Sequence, residues 1–150
     1  MKKLLLGITA VIALGAIALM APVTPTYAAT ANVSVATPGV VLIPVHLDGQ
    51  FTATTAAAAR IKLPFKAKVL GVSASARASG GTTPTLTVDV QDDGTTILSA
   101  PVAVTAGAVA EATLASSQVA DESVITIDLA IGGTSPTWDD IDVLLTVVRN

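Results

Sequence analysis

ThrLeuThrValAspVal (85–90), ValIleThrIleAspLeu (124–129) and AspIleAspValLeuLeuThrValVal (140–148) each set an apolar side chain at every second position. ArgIleLysLeuProPhe (60–65) begins the same way. A strand with one face on a core and one face in water has this period of two. Working outward, ValValLeuIleProValHisLeu (40–47) is a further strand, with Pro44 placing it at an edge or bulge. Residues 48–50 are a turn, and 52–59, alternating between Thr and Ala, are an extended lead-in to the strand at 60–63. Residues 67–76 form the next strand and SerGlyGlyThrThrPro (79–84) a loop. AspAspGly (92–94) is a tight turn joining 85–91 to its return partner 95–99, the strongest hairpin signal in the chain. Short strands follow at 102–104 and 108–114, then a turn-rich link over 116–123 and a loop, GlyGlyThrSerProThr, at 132–137. Eight or nine short strands at this spacing predict an all-β fold: a single antiparallel β-sandwich, jelly-roll-like. No period of 20–50 residues is visible, which argues against a solenoid.

The chain has 150 residues, 51% of them hydrophobic and only 13% charged. Part of that apolarity lies in a leader. Lys2 and Lys3 precede an uncharged run, Leu4–Ala21, and small residues follow it. This is the pattern of a secretory signal, with cleavage after Ala28 or Ala31. The alternative is a retained membrane anchor, because a run of about 18 residues just reaches across a bilayer. Pro22 and Pro25 end that helix. Either way Lys2 and Lys3 stay inside and the remainder is exported. The division is a signal or anchor over 1–28, a linker or first edge strand over 29–38, and the β domain over 39–150.

No cysteine is present, so an exported domain with one modest core has no disulfide to staple it. Tight packing or self-association has to compensate. Beyond residue 28 there are six basic and eleven acidic side chains, a net charge of −5. That balance argues against a nucleic-acid partner, which requires a basic surface. Arg60, Lys62, Lys66 and Lys68 share even numbering, so an extended chain sets them on one side. They form either a solvated face or a docking stripe for an acidic neighbour, including another copy. Leu144 and Val148 lie on the second face of the last strand. A strand apolar on both faces is central in its sheet, or a neighbouring subunit covers it.

Catalytic and metal chemistry find little support. Asp89, Asp92, Asp93 and Gly94 fail the calcium-loop register, since Gln91 and Ala100 occupy ligand positions. Asp139, Asp140 and Asp142 need oxygen ligands from other segments to hold an ion. His46 is the sole histidine, follows Pro44 in an apolar run and reads as structural. There is no GxSxG elbow. A paired-carboxylate glycosidase needs aromatic platforms, and Trp138, placed at the end of a Gly/Ser/Pro loop, is the one candidate for an exposed platform. No cofactor is expected, and the chain reads as a non-enzyme.

Residues 60–76, 86–99, 121–129 and 140–149, in that order, resemble the β-sandwich modules of tailed-phage virion proteins: head-decoration, fibre and tail-associated proteins. The likeness covers about residues 58–149. It implies a structural protein that acts by forming homo-oligomers and by attaching to a capsid, a tail or a host surface, and it brings no catalytic residues. The export leader fits a virion with an internal membrane, where an anchored spike displays the domain, and equally a bacterial or archaeal surface protein or a filament subunit. A secreted lectin-like module using Trp138 and the 132–140 loop is the alternative.

Overall fold

The computed structural model describes residues 29–31, 34–37 and 39–150. The leader, with Leu4–Ala21 and the expected N-terminal helix, lies outside the described residues. From residue 40 onward the chain makes eight strands of one antiparallel sheet: β3 (Val40–Phe51), β4 (Thr55–Lys62), β5 (Ala67–Asp92), β6 (Thr95–Thr96), β7 (Val102–Val104), β8 (Val109–Glu111), β9 (Gln118–Val119) and β10 (Val124–Arg149). Two short strands, β1 (Ala29–Ala31) and β2 (Ser34–Thr37), flank β3 within the segment expected to be a linker or edge strand. No helix occurs among the described residues.

The alternation seen in the sequence sets the burial. Ile43, Val45 and Leu47 on β3, Val69, Val72 and Ala74 on β5, and Ile141, Val143, Leu145 and Val147 on β10 are buried, and the residues between them are not. Pro44 lacks an amide donor, and it falls between the stretches of β3 that meet β1 (Val45–Leu47) and β2 (Val40–Leu42). The expected turn at 92–94 is Asp93–Gly94, with φ of 47° and 83°. Two successive positive φ values make the tight hairpin turn that matches strand twist.

The strand lengths differ from the expectation. β5 and β10 are each 26 residues long and pair with each other throughout. The segments read as loops, 79–84 and 132–137, lie inside them. They carry one repeated pattern, GlyGlyThrThrProThr at 80–85 and GlyGlyThrSerProThr at 132–137. The repeats run antiparallel against each other, with Gly132 opposite Thr85, Thr134 opposite Thr82 and Thr137 opposite Gly80. The backbone departures repeat too: Gly81 and Gly133 have φ of 95° and 116°, and Thr83 and Ser135 each have φ of 49°. A Cβ on Gly81 would sit 2.3 Å from the Ser135 carbonyl oxygen, and one on Gly133 would sit 2.7 Å from that of Thr83. The glycines therefore serve close passage of two strands rather than a loop. A 26-residue strand would be about 85 Å long if straight, at ~3.3 Å per residue. A domain of this size has a radius of gyration of only about 13 Å. The bulges and register shifts at the crossing let both strands turn.

The crossing divides the pairing into two halves. In one, β3 and the first part of β5 flank the C-terminal part of β10, and β8 and β9 add to β5. In the other, β4 and the last part of β5 flank the N-terminal part of β10, and β6 and β7 add to β5. Units 40–92 and 95–149 thus have the same layout, each lending its long strand to the other unit's shorter strands. Buried side chains from both halves form one core cluster.

Candidate functional site

The densest group of charged side chains lies at one end of the β3–β10–β5 half. His46 and Asp142 are cross-strand neighbours in the β3–β10 ladder. A β-bulge between Asp139 and Ile141, with Asp140 at φ 47°, turns three acidic residues toward β3 and β5. Asp tolerates this left-handed conformation better than most side chains. His46 meets Asp142 through Nδ1 at 2.6 Å and Asp48 through Nε2 at 2.8 Å. Asp140 accepts from the Gly49 backbone N–H at 3.0 Å and from Arg77 Nε at 2.6 Å. Gln50 Nε2 donates to Asp139 at 3.1 Å.

An imidazole facing a carboxylate at each nitrogen can donate to both only when it is protonated. The hydrogen bond to Asp142 raises the His46 pKa above its ordinary 6.5, the charges of Asp142 and Asp48 add to it, and partial burial opposes it. Asp140 is held below the usual carboxylate range, first by Arg77 and then by the Gly49 N–H. The Arg77 guanidinium is raised in turn by Asp140. His46, Asp48 and Asp140 each bring one ligand atom within 4.8 Å of the others, a donor set that a divalent cation could use. A cation would have to compete with Arg77 for Asp140, and the side chains already satisfy one another. Of the two acidic partners of His46, Asp48 lies two residues on along the same strand, and strand pairing brings Asp142 from 96 positions away.

The other sequence-nominated residues disperse. Leu144 and Val148 are half-buried on the outer face of β10, which at this point is central, flanked by β3 and β5. Arg60 and Lys62 project from β4, where Lys62 pairs with Glu122. Lys66 sits in the connection to β5, and Lys68 is on the outer face of the other half. The chain is not extended through Leu63–Lys66, so the four cations do not share one face. Trp138, proposed as an exposed platform, is 2% exposed and belongs to the core. It lies within β10, opposite Phe51 and Ser79, so no ring face is open for stacking.

The outer face of the other half is polar. Asp89 and Asp128 are cross-strand neighbours, and the Gln91 amide donates to both, at 3.1 and 2.9 Å. Thr96 Oγ1 donates to Asp89 at 2.5 Å, and the Ala57 N–H donates to Asp128 at 2.6 Å. All four oxygens of the two carboxylates thereby accept a hydrogen bond. Comparison with protein-family models and with curated proteins finds no match for the chain.

Proposed function

We propose that the protein is a non-enzymatic structural component, exported and displayed on a virion or cell surface, that works by self-association and attachment. In this reading the two halves of the sheet stack as a jelly-roll-like sandwich around the shared core. The single core cluster, drawing on both halves, supports that arrangement. The functional part rests on one observation: Leu42, Pro44, Leu144 and Val148 make an apolar strip on the outer face of one half, beside Thr146 and Ser73, where the other half presents Thr87, Asp89, Gln91, Thr126 and Asp128. An apolar sheet face on an exported domain has to be covered to stay out of water. Among surfaces, a virion is favoured by the likeness of residues 58–149 to phage virion modules. The leader then delivers the chain to a membrane, and cleavage gives a mature N-terminus between residues 29 and 32. Cleavage after Ala28 keeps β1, and cleavage after Ala31 removes it.

Immunogold labelling of intact particles and cell envelopes, with N-terminal sequencing of the native protein, tests this. Label on particles or envelopes is expected. Recovery only as free monomer in the medium would overturn the structural reading. An N-terminus at Met1 or Lys2 would replace the cleaved form with an anchored one.

A further inference from the structure

Resting on the self-association reading, we infer that the outer face of the β3–β10–β5 half is the contact between two copies of this chain. The copies stack with strands antiparallel, so that the Lys68 end of each covers the Asp48–Asp142 end of the other.

Three observations lead there. First, the two exposed large hydrophobic residues among the described residues, Leu70 at 50% and Val109 at 68%, belong to this half, Leu70 at the β5 bulge opposite Thr146 and Val147, between buried Val69 and Val72. Val109 pairs with Ser75, whose side chain points outward between buried Ala74 and Ala76. Leu42, Pro44, Leu144 and Val148 lie on the same side. Second, the molecule contains its own control. From the repeated GlyGlyThr pattern, Leu86–Val90 correspond to Trp138–Val143, with Asp140 the extra residue at the bulge. Asp142 then corresponds to Asp89, and Leu144 to Gln91. The same layout is built in the other half with Thr87, Asp89, Gln91, Thr126 and Asp128 pointing outward. The fold does not require the strip Leu42, Pro44, Leu144 and Val148, which lies beside Thr146, Ser73 and Glu111; only one of its two halves has it.

Third, the charge on this face is graded along the strands. Asp48, Asp140 and Asp142 outnumber Arg77 and His46 and leave one end acidic, while Lys68, beside Val148 and Gln118, makes the other basic. Stacking in the same direction would set carboxylates on carboxylates. Reversal brings Lys68 over the acidic end and leaves Leu144 near the two-fold axis, four residues from either end row. Such a face is complementary to itself, as an isologous contact must be. Its apolar strip along β3 and β10 supplies affinity and its charges set direction.

Sedimentation velocity on protein expressed from the full chain, with folding of each variant checked by circular dichroism, measures the association. Leu144→Lys and Leu70→Lys should each raise the dimer dissociation constant at least tenfold; Leu70 is half exposed, so its variant retains the core. Lys68→Glu should weaken the dimer several-fold at low salt and less at high salt. The chain has no cysteine. Leu144→Cys should therefore cross-link to its own counterpart under mild oxidation, and Thr126→Cys, on the polar face, should not. A wild-type oligomer that ignores the Leu70 and Leu144 variants, or cross-links equally through Thr126→Cys, overturns this contact and leaves self-association standing. A wild-type monomer at tens of micromolar overturns self-association as well.

Discussion

At the scale of single residues, His46 couples the fold to pH. Its pKa is raised above 6.5 in the folded protein, chiefly by Asp142. Its contribution to stability is therefore fully present below pH 6.5 and is lost as pH rises through the folded value. The ring is 41% exposed, so solvent screening holds the effect to roughly 0.5 kcal/mol. Thermal melts from pH 5 to pH 8.5 should show the wild type losing this margin over His46→Gln as the pH rises; parallel curves would contradict it. Asp140 works in the opposite sense. Its pKa is lowered from 3.8, so its contribution is present above that value and lost as acid takes pH through the lowered one. Arg77→Gln should flatten that acid limb. Trp138 gives a second test at this scale. Its Nε1 is buried without an acceptor among the described residues. Trp138→Phe removes that unmet donor and keeps most of the ring, and should change stability by less than about 1.5 kcal/mol. Trp138→Ala opens a cavity and should cost about 3–5 kcal/mol in denaturant melts. Equal losses would show that the indole N–H has a partner. Neither role was legible beforehand. Asp142 reaches His46 only through strand register, although Asp48 sits two residues on along the same strand, and Trp138 follows a Gly/Ser/Pro stretch that reads as a loop.

At the scale of elements, glycine separates crossing from turn. Gly81→Ala and Gly133→Ala drive a Cβ into backbone carbonyls and also hold alanine at positive φ. Each should cost at least about 2–4 kcal/mol, because backbone cannot move aside as a side-chain tip can. Gly94→Ala meets nothing within 4 Å and carries only the φ strain, about 1 kcal/mol. Gly71→Ala meets nothing and should be near neutral. Urea denaturation of the four variants ranks them, and a tolerated Gly133→Ala would contradict the close passage of β5 and β10. This ranking explains the limits of the sequence reading. Period-two alternation located the core faces of β3, β5 and β10, and AspAspGly located the hairpin turn. The two GlyGlyThr segments read as loops because Gly and Pro also mark loops. A single chain without its strand pairings does not show that the two segments lie against each other, nor that two strands of 26 residues run through them.

At the scale of the whole molecule, the exchange of long strands makes the two units interdependent. Within 40–92, β3 and β4 do not pair with β5; both pair with β10. Within 95–149, β7, β8 and β9 pair with β5 rather than β10. Neither unit can build either half of the sheet alone, because the strand its shorter strands need comes from the other unit. Such a chain has few local contacts to stabilise an intermediate, and mainly non-local pairing also slows folding. Unfolding should therefore be a single cooperative step in which Trp138, at the crossing, reports the same midpoint as the far-ultraviolet signal of the sheet. Fragments 29–93 and 94–150, cut at the hairpin turn, should each be disordered alone and should regain β structure when mixed, since every cross-unit ladder can re-form between them. Two separated transitions in the intact chain, or either fragment folding on its own, would show that the halves are independent and that the strand exchange is not what holds them together.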